Sequence, residues 1–476
     1  MDYEPVIGME VHVEINSRSK VFCGCSTDFH ADPNTNVCPI CLGLPGAMPV
    51  LNVEMVNKTV AVGLALHCEI ARWSKMDRKN YFYPDLAKNY QISQYDLPLC
   101  KNGYLEIETE NGPKRIGITR AHMEEDTARN THTRVPGNSG VDFNRGGVPL
   151  LEIVTEPDIR SAAEANAYLV ALKQILQYLD VSDCNMEEGS IRAEANISVR
   201  PVGAEKFGVK TEVKNVASFS GTTKAIEFEI ARHIRVLNEG GAIHQETRGW
   251  DADRGVTFVQ RSKESAHDYR YFPEPDLVPV VVDEAWEQRI RESLPELPAA
   301  KRTRLQAEHG LSAYDAHVLT LSQQTASYYE ATVRAGADAK KAANWIMGDL
   351  QALLTEARLE IEQSPVAAAN LAAMIGLIDD GTISGKIAKD VLLEMFASGK
   401  APAAIVKEKG LVQISDTGEL VKIVQDVLAK NPAQVEQFKQ GKAQVMGFLV
   451  GQIMKASQGK ANPKLVNEIL QQELHK

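Results

Sequence analysis

No GxxxxGKS/T stretch and no GxGxxG turn occurs in these 476 residues, which excludes a P-loop and a dinucleotide-binding turn. HExxH and GxSxG are missing as well, so neither a zinc-peptidase helix nor a hydrolase nucleophile elbow is encoded. No apolar run reaches about 18 residues, and no membrane span is expected. The chain enters VIGMEVHVEI at once, with no basic-then-apolar stretch and no Arg/Ser-rich leader, and a cytoplasmic location is expected. Internal repeats and low-complexity tracts are absent. If the chain uses a nucleotide, a sheet face carrying carboxylates must hold it.

Positive charge is scarce. The 52 Lys and Arg stand against 63 Asp and Glu, a net charge of −11 that argues against a general nucleic-acid binder. Its distribution says more. Between Lys386 and Lys476 there is no Arg, yet 13 Lys face 9 acids there, so this stretch is +4 and the remainder −15. Lys439, Lys442, Lys455, Lys460 and Lys464 occur with no acid among them. Lysines release counterions when they bind phosphates, so the tail is a candidate RNA-binding segment; a solvated surface accounts for the same charges.

An α+β fold is expected for residues 1–293. Alternating strands at Val6–Ile15, Lys114–Arg120 and Arg192–Val199 are separated by Gly, Pro and Asn turns. Amphipathic helices are expected at Ala162–Leu179, opened by a Ser161/Glu164 capping box, and at Thr223–Asn238, stopped by Gly240 and Gly241. Composition changes at Leu294–Pro298, beyond which Ala, Leu, Lys, Glu and Gln recur with helical spacing. A helical domain over 294–404 and a small helical tail over 405–476 follow, with helix starts at Ser384, Ser415 and Asn431-Pro432.

Cys23, Cys25, Cys38 and Cys41 form C-x-C-x12-C-x2-C, two close pairs able to converge on one tetrahedral ion. Four thiolates suit structural Zn2+; a disulfide framework would need an oxidising compartment. Cys68, Cys100 and Cys184 are scattered and expected to be buried thiols.

Glu10, His12 and Glu14 alternate along the first strand and share one face, while Val11, Val13 and Ile15 fill the other. His122–Asp126, Glu152 with Glu156 and Asp158, and Glu187-Glu188 followed by Glu194 supply further acids. Glu152 lies in an apolar run, where a carboxylate is costly unless paired or on a metal. Carboxylates from several strands would make a floor for Mg2+ and ATP; an exposed polar sheet face is the plainer account. Arg78–Asp85 and Asp268–Asp276 mix cations with aromatics, which suits phosphate or carboxylate binding as well as ordinary surface ion pairs. Arg270 in the second of these joins the substrate-binding candidates.

Several segments resemble one family. IGMEVHVEI, CPICLGLPGAMPVLN, DRKNYFYPDLAKNYQISQYD, HMEEDTAR, GGVPLLEIVTEPDIRS, NMEEGSIRAEANISVRP, EVKNVASF, RSKESAHDYRYFPEPDL and GFLVGQIMKASQGKANPKLVNEIL are similar, in order, to the B subunits of glutamyl/aspartyl-tRNA amidotransferases. The resemblance implies a glutamine-synthetase-like cradle of antiparallel strands, a helical domain and a tail that contacts tRNA. It implies that ATP phosphorylates the side chain of Glu on tRNA-Gln or Asp on tRNA-Asn. Ammonia from the family's amidase partner, the A subunit, then displaces phosphate, and a small C subunit completes a heterotrimer. By motif, Glu10, His12 and Glu125 fall where the family has Mg2+ ligands, with Glu152 and Glu194 completing the set. Strand alternation instead favours Glu124 beside His122. Lys79 and Arg192 would lie along the phosphates, and the four cysteines match the zinc-bearing members.

Glu194 stands in RAEANIS where the family usually has RCDANIS, which lengthens that acid's arm, and Cys184 stands where a small residue is common. Two other functions remain open at this level. One is a non-catalytic tRNA-binding scaffold, supported by the basic tail. The other is a free-standing ATP-dependent ligase acting on a small carboxylic acid.

Overall fold

The alternation of the first segment becomes a twelve-residue strand, Tyr3–Glu14, at the centre of a nine-stranded sheet. The computed structural model describes residues 2–132, 138–262, 268–412, 417–439, 442, 444–457 and 461–475. Across the sheet the order is Val256–Ser262, Glu246–Asp251, Thr211–Val213, Ile191–Pro201, Tyr3–Glu14, Pro149–Thr155, Gly112–Glu125, Cys100–Thr109 and Glu69–Ile70. Pairing is antiparallel except between Thr211–Val213 and Glu246–Asp251.

One face of this sheet is apolar. Ile7, Met9, Val11 and Val13 are buried with Leu151, Ile153, Ala193 and Ala195 of the flanking strands. Helices Val53–Ala65, Ala162–Tyr178 and Phe219–Asn238 contribute Val60, Leu169, Leu172 and Ile226 to the same core. At about 25 cal/mol per Å2 of apolar surface removed from water, this face drives the fold, and the polar residues are left on the other. Ser161 caps its helix by accepting the Glu164 N–H at 3.1 Å. The expected reciprocal bond is shifted by one residue, because the Glu164 carboxylate accepts from the Arg160 N–H at 2.7 Å. The second long helix starts four residues earlier than expected, where Ser218 caps it.

The chain divides into two compact units, Met1–Leu297 and Pro298–Lys476. A boundary after 293 is too early, since Leu294 and Leu297 pack on the sheet core. The second unit is helical and holds two cores. One gathers Leu305, Tyr329, Ile346, Leu371 and Leu392; the other gathers Leu420, Val424, Leu449, Ile453 and Leu470. A boundary after 404 would cut the helix Pro402–Glu408, whose Ile405 and Val406 are buried in the first of these cores. Ser384 and Asn431-Pro432 do start helices, Gly385–Ser398 and Pro432–Lys439, while Ser415 lies outside the described residues. Among the described residues no helix is long and apolar enough to cross a membrane.

Candidate active site

Strand register assembles a row of ionisable groups on the polar face. His12 lies opposite Glu152 on one neighbour and Arg192 on the other, and Glu152 lies opposite His122. Glu10 lies opposite Glu194, and Glu124 sits two residues along from His122. Opposed residues of antiparallel strands project to the same side, so four strands deliver these side chains to one place.

The Nε2 of His12 stands 3.8 Å from Glu10 Oε1, 3.6 Å from Glu124 Oε1 and 3.5 Å from Glu152 Oε2. The Nε2 of His122 lies 3.6 Å from the same Glu152 oxygen. Two triads could each share a cation, Glu10–His12–Glu194 and His12–Glu124–Glu152, with the ligand atoms of each within 4.8 Å of one another. Two carboxylates about 4–5 Å apart repel by roughly 3–4 kcal/mol at an effective dielectric near 20.

Burial first, and that repulsion second, set the acidities of Glu124 and Glu10. Burial and the charge of Glu152 push the Glu124 carboxyl up to about 7. Burial, then Glu152 and Glu194, raise Glu10 as well. Burial also opposes ionisation of Glu152, but the two imidazoles hold its carboxyl far below the usual range. Burial disfavours the His12 imidazolium, yet its hydrogen bond to Glu152 and the charge of Glu124 raise it to about 9. His122, dominated by burial, falls to about 4. Mg2+ is commonly held by one or two carboxylates with waters and phosphates completing its shell, and Glu124 and Glu152 fit that need.

Lys79 belongs to a three-stranded sheet ordered Phe272–Pro273, Asp77–Asn80, Tyr90–Ser93. Where the sequence suggests two separate loops, short strands join the two aromatic, basic segments, Phe272 pairing with Arg78. Arg78 grips the buried Glu274 with both arms, Nε to Oε2 at 2.6 Å and Nη2 to Oε1 at 2.8 Å. Its guanidinium also lies 4.4 Å from the centre of the Tyr90 ring. Next to this clamp, the Lys79 ammonium lies 5.1 Å from the Tyr269 ring and 5.8 Å from that of Tyr81. Burial opposes its charge, but Glu124, then Tyr271 and Glu152, hold it above the ordinary lysine range.

Other candidates lie elsewhere. Glu125 is turned away from the row, because successive residues of a strand face opposite sides. Its carboxylate meets Lys88 Nζ at 2.7 Å and accepts the Ile92 N–H at 2.8 Å, so Glu124 takes the place expected for Glu125. Arg192 is in register with His12, but its guanidinium donates to Asp126 at 2.8 Å. Glu194 is ion-paired with Lys214. Arg270 is exposed in the loop before Phe272, where its carbonyl accepts from Asn80 at 2.8 Å. Glu156 and Asp158 fasten a turn, accepting from the Thr119 hydroxyl at 2.7 Å and the Gly117 N–H at 2.9 Å.

The four cysteines converge as expected. Their sulfurs lie within 4.8 Å of one another, and no disulfide joins them. The Cys38 and Cys41 sulfurs are 3.9 Å apart, close to the edge of about 3.8 Å that a tetrahedron with bonds of about 2.3 Å requires. The hydrogen bond from Cys23 lowers the Cys41 thiol to about 4, and Lys20 Nζ lies 3.7 Å from its sulfur. This donor set fits Zn2+. In the tail Lys439, Lys442 and Lys455 are exposed; Lys460 lies outside the described residues, as does the side chain of Lys464.

Sequence reasoning missed Lys214, although it follows Glu212 at the strand spacing of two, and it missed the Lys88–Glu125 and Arg192–Asp126 pairs. Comparison with known proteins agrees along the whole chain. Residues 5–288 match the GatB/GatE catalytic domain family and residues 327–474 the GatB domain family. The chain is 58% identical over 476 residues to a protein of Moorella thermoacetica, covering all of both. It is 57% identical over 478 residues to one of Carboxydothermus hydrogenoformans, covering all of this chain and 99% of the relative. Over 477 residues it is 57% identical to one of Geobacter sulfurreducens, again covering both fully. Each of the three is named as the B subunit of an aspartyl/glutamyl-tRNA(Asn/Gln) amidotransferase.

Proposed function

The chain belongs to the family of aspartyl/glutamyl-tRNA(Asn/Gln) amidotransferase B subunits, and from that premise we propose that its first unit uses ATP to activate a side-chain carboxylate carried on tRNA. The observation that carries this is the row itself, His12 Nε2 within 3.6 Å of the buried Glu124 and Glu152, whose charges also hold the Lys79 ammonium above the ordinary lysine range. A phosphoryl group has negative oxygens to be neutralised on one side and needs a cation-binding floor on the other.

A carboxylate is a poor electrophile because its leaving group would be oxide. The carboxylate oxygen of tRNA-linked Glu or Asp attacks the γ-phosphorus, and ADP departs. Ammonia then attacks the acyl carbon, phosphate leaves with the C–O bonding electrons, and an amide remains. No protein nucleophile is required. His12, Glu124 and Glu152 would hold Mg2+, which when bound neutralises the phosphate oxygens. Lys79 holds the transferred phosphoryl oxygens from the opposite side, and the tyrosines around it exclude water. Cys23, Cys25, Cys38 and Cys41 would hold structural Zn2+. Ammonia comes from a partner amidase in a complex completed by a small third protein, and the lysines of the tail hold the tRNA.

The test is phosphate release from ATP by the complex supplied with glutamine, with and without Glu-tRNA-Gln or Asp-tRNA-Asn. Release should require the misacylated tRNA and fall by about 100-fold or more in Lys79→Ala. Release that ignores both would return the chain to a tRNA-binding scaffold.

A further inference from the structure

The two triads share His12, whose Nε2 faces Glu10, Glu124 and Glu152 together. A single imidazole nitrogen has one lone pair to give, so when His12 serves one ion a second would rest on Glu10 and Glu194 alone. One end of the row already has a cation. Lys214 follows the short strand Thr211–Val213, and its ammonium is ion-paired with Glu194 and lies 3.2 Å from Glu212 Oε1. It is held there from several sides. The Lys214 N–H donates to the Arg248 carbonyl at 3.0 Å, and buried Glu212 accepts the Thr247 hydroxyl at 2.9 Å. Glu194 in turn lies directly opposite Glu10 in the register.

Resting on the proposal that this row binds a divalent cation, we propose that Lys214 is its resident counter-cation, occupying the Glu10–Glu194 end so that a single divalent ion is taken at His12–Glu124–Glu152. Lys214 is thus a positioning residue. It fixes where the metal sits without touching it, and it keeps the floor from becoming a two-metal site. The longer arm of Glu194 then has a use, since it makes the ion pair with Lys214.

Mn2+ binding to the full-length, zinc-loaded chain, counted by electron paramagnetic resonance, tests this. Wild type should hold one ion that Glu152→Gln removes. Lys214→Met should hold two, and adding Glu194→Gln should bring it back to one. Lys214→Arg, which keeps the charge and the ion pair, should remain at one and melt as wild type does. Two row ions in wild type, or one in Lys214→Met, would overturn the role of Lys214 while leaving the metal floor intact. Mn2+ binding indifferent to Glu152→Gln would overturn the floor itself, and the inference with it.

Discussion

Glu124 and Glu125 follow each other in one strand, yet their carboxylates serve opposite sides of it, one 3.6 Å from His12 Nε2 and the other 2.7 Å from Lys88 Nζ. Exchange of either for Gln separates the two roles. Glu124→Gln should lower tRNA-dependent phosphate release by about 100-fold or more with little change in melting temperature. Glu125→Gln should keep most activity but lose roughly 3–5 kcal/mol of stability, because Lys88 would be left half-buried without its partner. Steady-state assays beside thermal melts decide it; the reverse pattern would restore Glu125 to the site.

Arg78 and Glu274 tie together the short sheet that carries Lys79. Arg78→Ala leaves a buried carboxylate unpaired and should cost about 3–5 kcal/mol. Arg78→Lys cannot reproduce the two-armed grip and should recover only part of that. Both should raise the KM for ATP. A KM unchanged in two folded variants would show that this clamp does not position Lys79.

The buried network around Glu229 predicts an acid limb. Burial pushes its pKa up, but bonds from His233, Arg232 and Thr257 outweigh this and hold the carboxyl well below the usual range. Since the folded value lies below the unfolded value of about 4.3, the stabilisation is complete above that pH and is lost as pH falls below it. Urea midpoints measured between pH 3 and 7 should therefore fall less steeply for Glu229→Gln than for wild type. Parallel curves would refute the assignment.

Purified chain should carry one zinc per molecule, measured by atomic absorption. Cys38→Ser should lose it and melt at a lower temperature while the tRNA dependence of phosphate release survives in the folded fraction, because the four ligands leave no open coordination position. A loss of activity without a loss of zinc would argue for a chemical role.

Deleting residues 413–476 spares Ile405 and Val406 in the first helical core and removes the tail lysines. The KM for charged tRNA should rise, and its salt dependence should weaken by about one unit of slope for each phosphate no longer neutralised. An unchanged KM would take the tail out of recognition.

Much of this was legible where the physics is local. Alternation in VIGMEVHVEI exposed both the core face and the Glu10–His12 face, and spacing alone gathered the four cysteines. Alternation also favoured Glu124, against the motif assignment of Glu125. What stayed hidden depends on partners distant in the chain. Arg78 and Glu274 lie 196 residues apart and Arg192 and Asp126 lie 66 apart, so nothing in their own segments says that each is already engaged. Lys214 was hidden for the same reason, because a lysine at the end of a three-residue strand looks like any exposed cation until Glu194 arrives from the neighbouring strand.

The Arg78–Glu274 tie also orders events during synthesis. A nascent chain that has emerged only through Ile191–Pro201 already contains His12, Glu124, Glu152 and Glu194, and Lys214 follows soon after. Phe272–Pro273 and Glu274 come some 60 residues later, and only then can Arg78 be clamped. Contacts spanning so much sequence form late. A chain stopped short of Glu274 therefore carries the acidic row without the clamp next to Lys79.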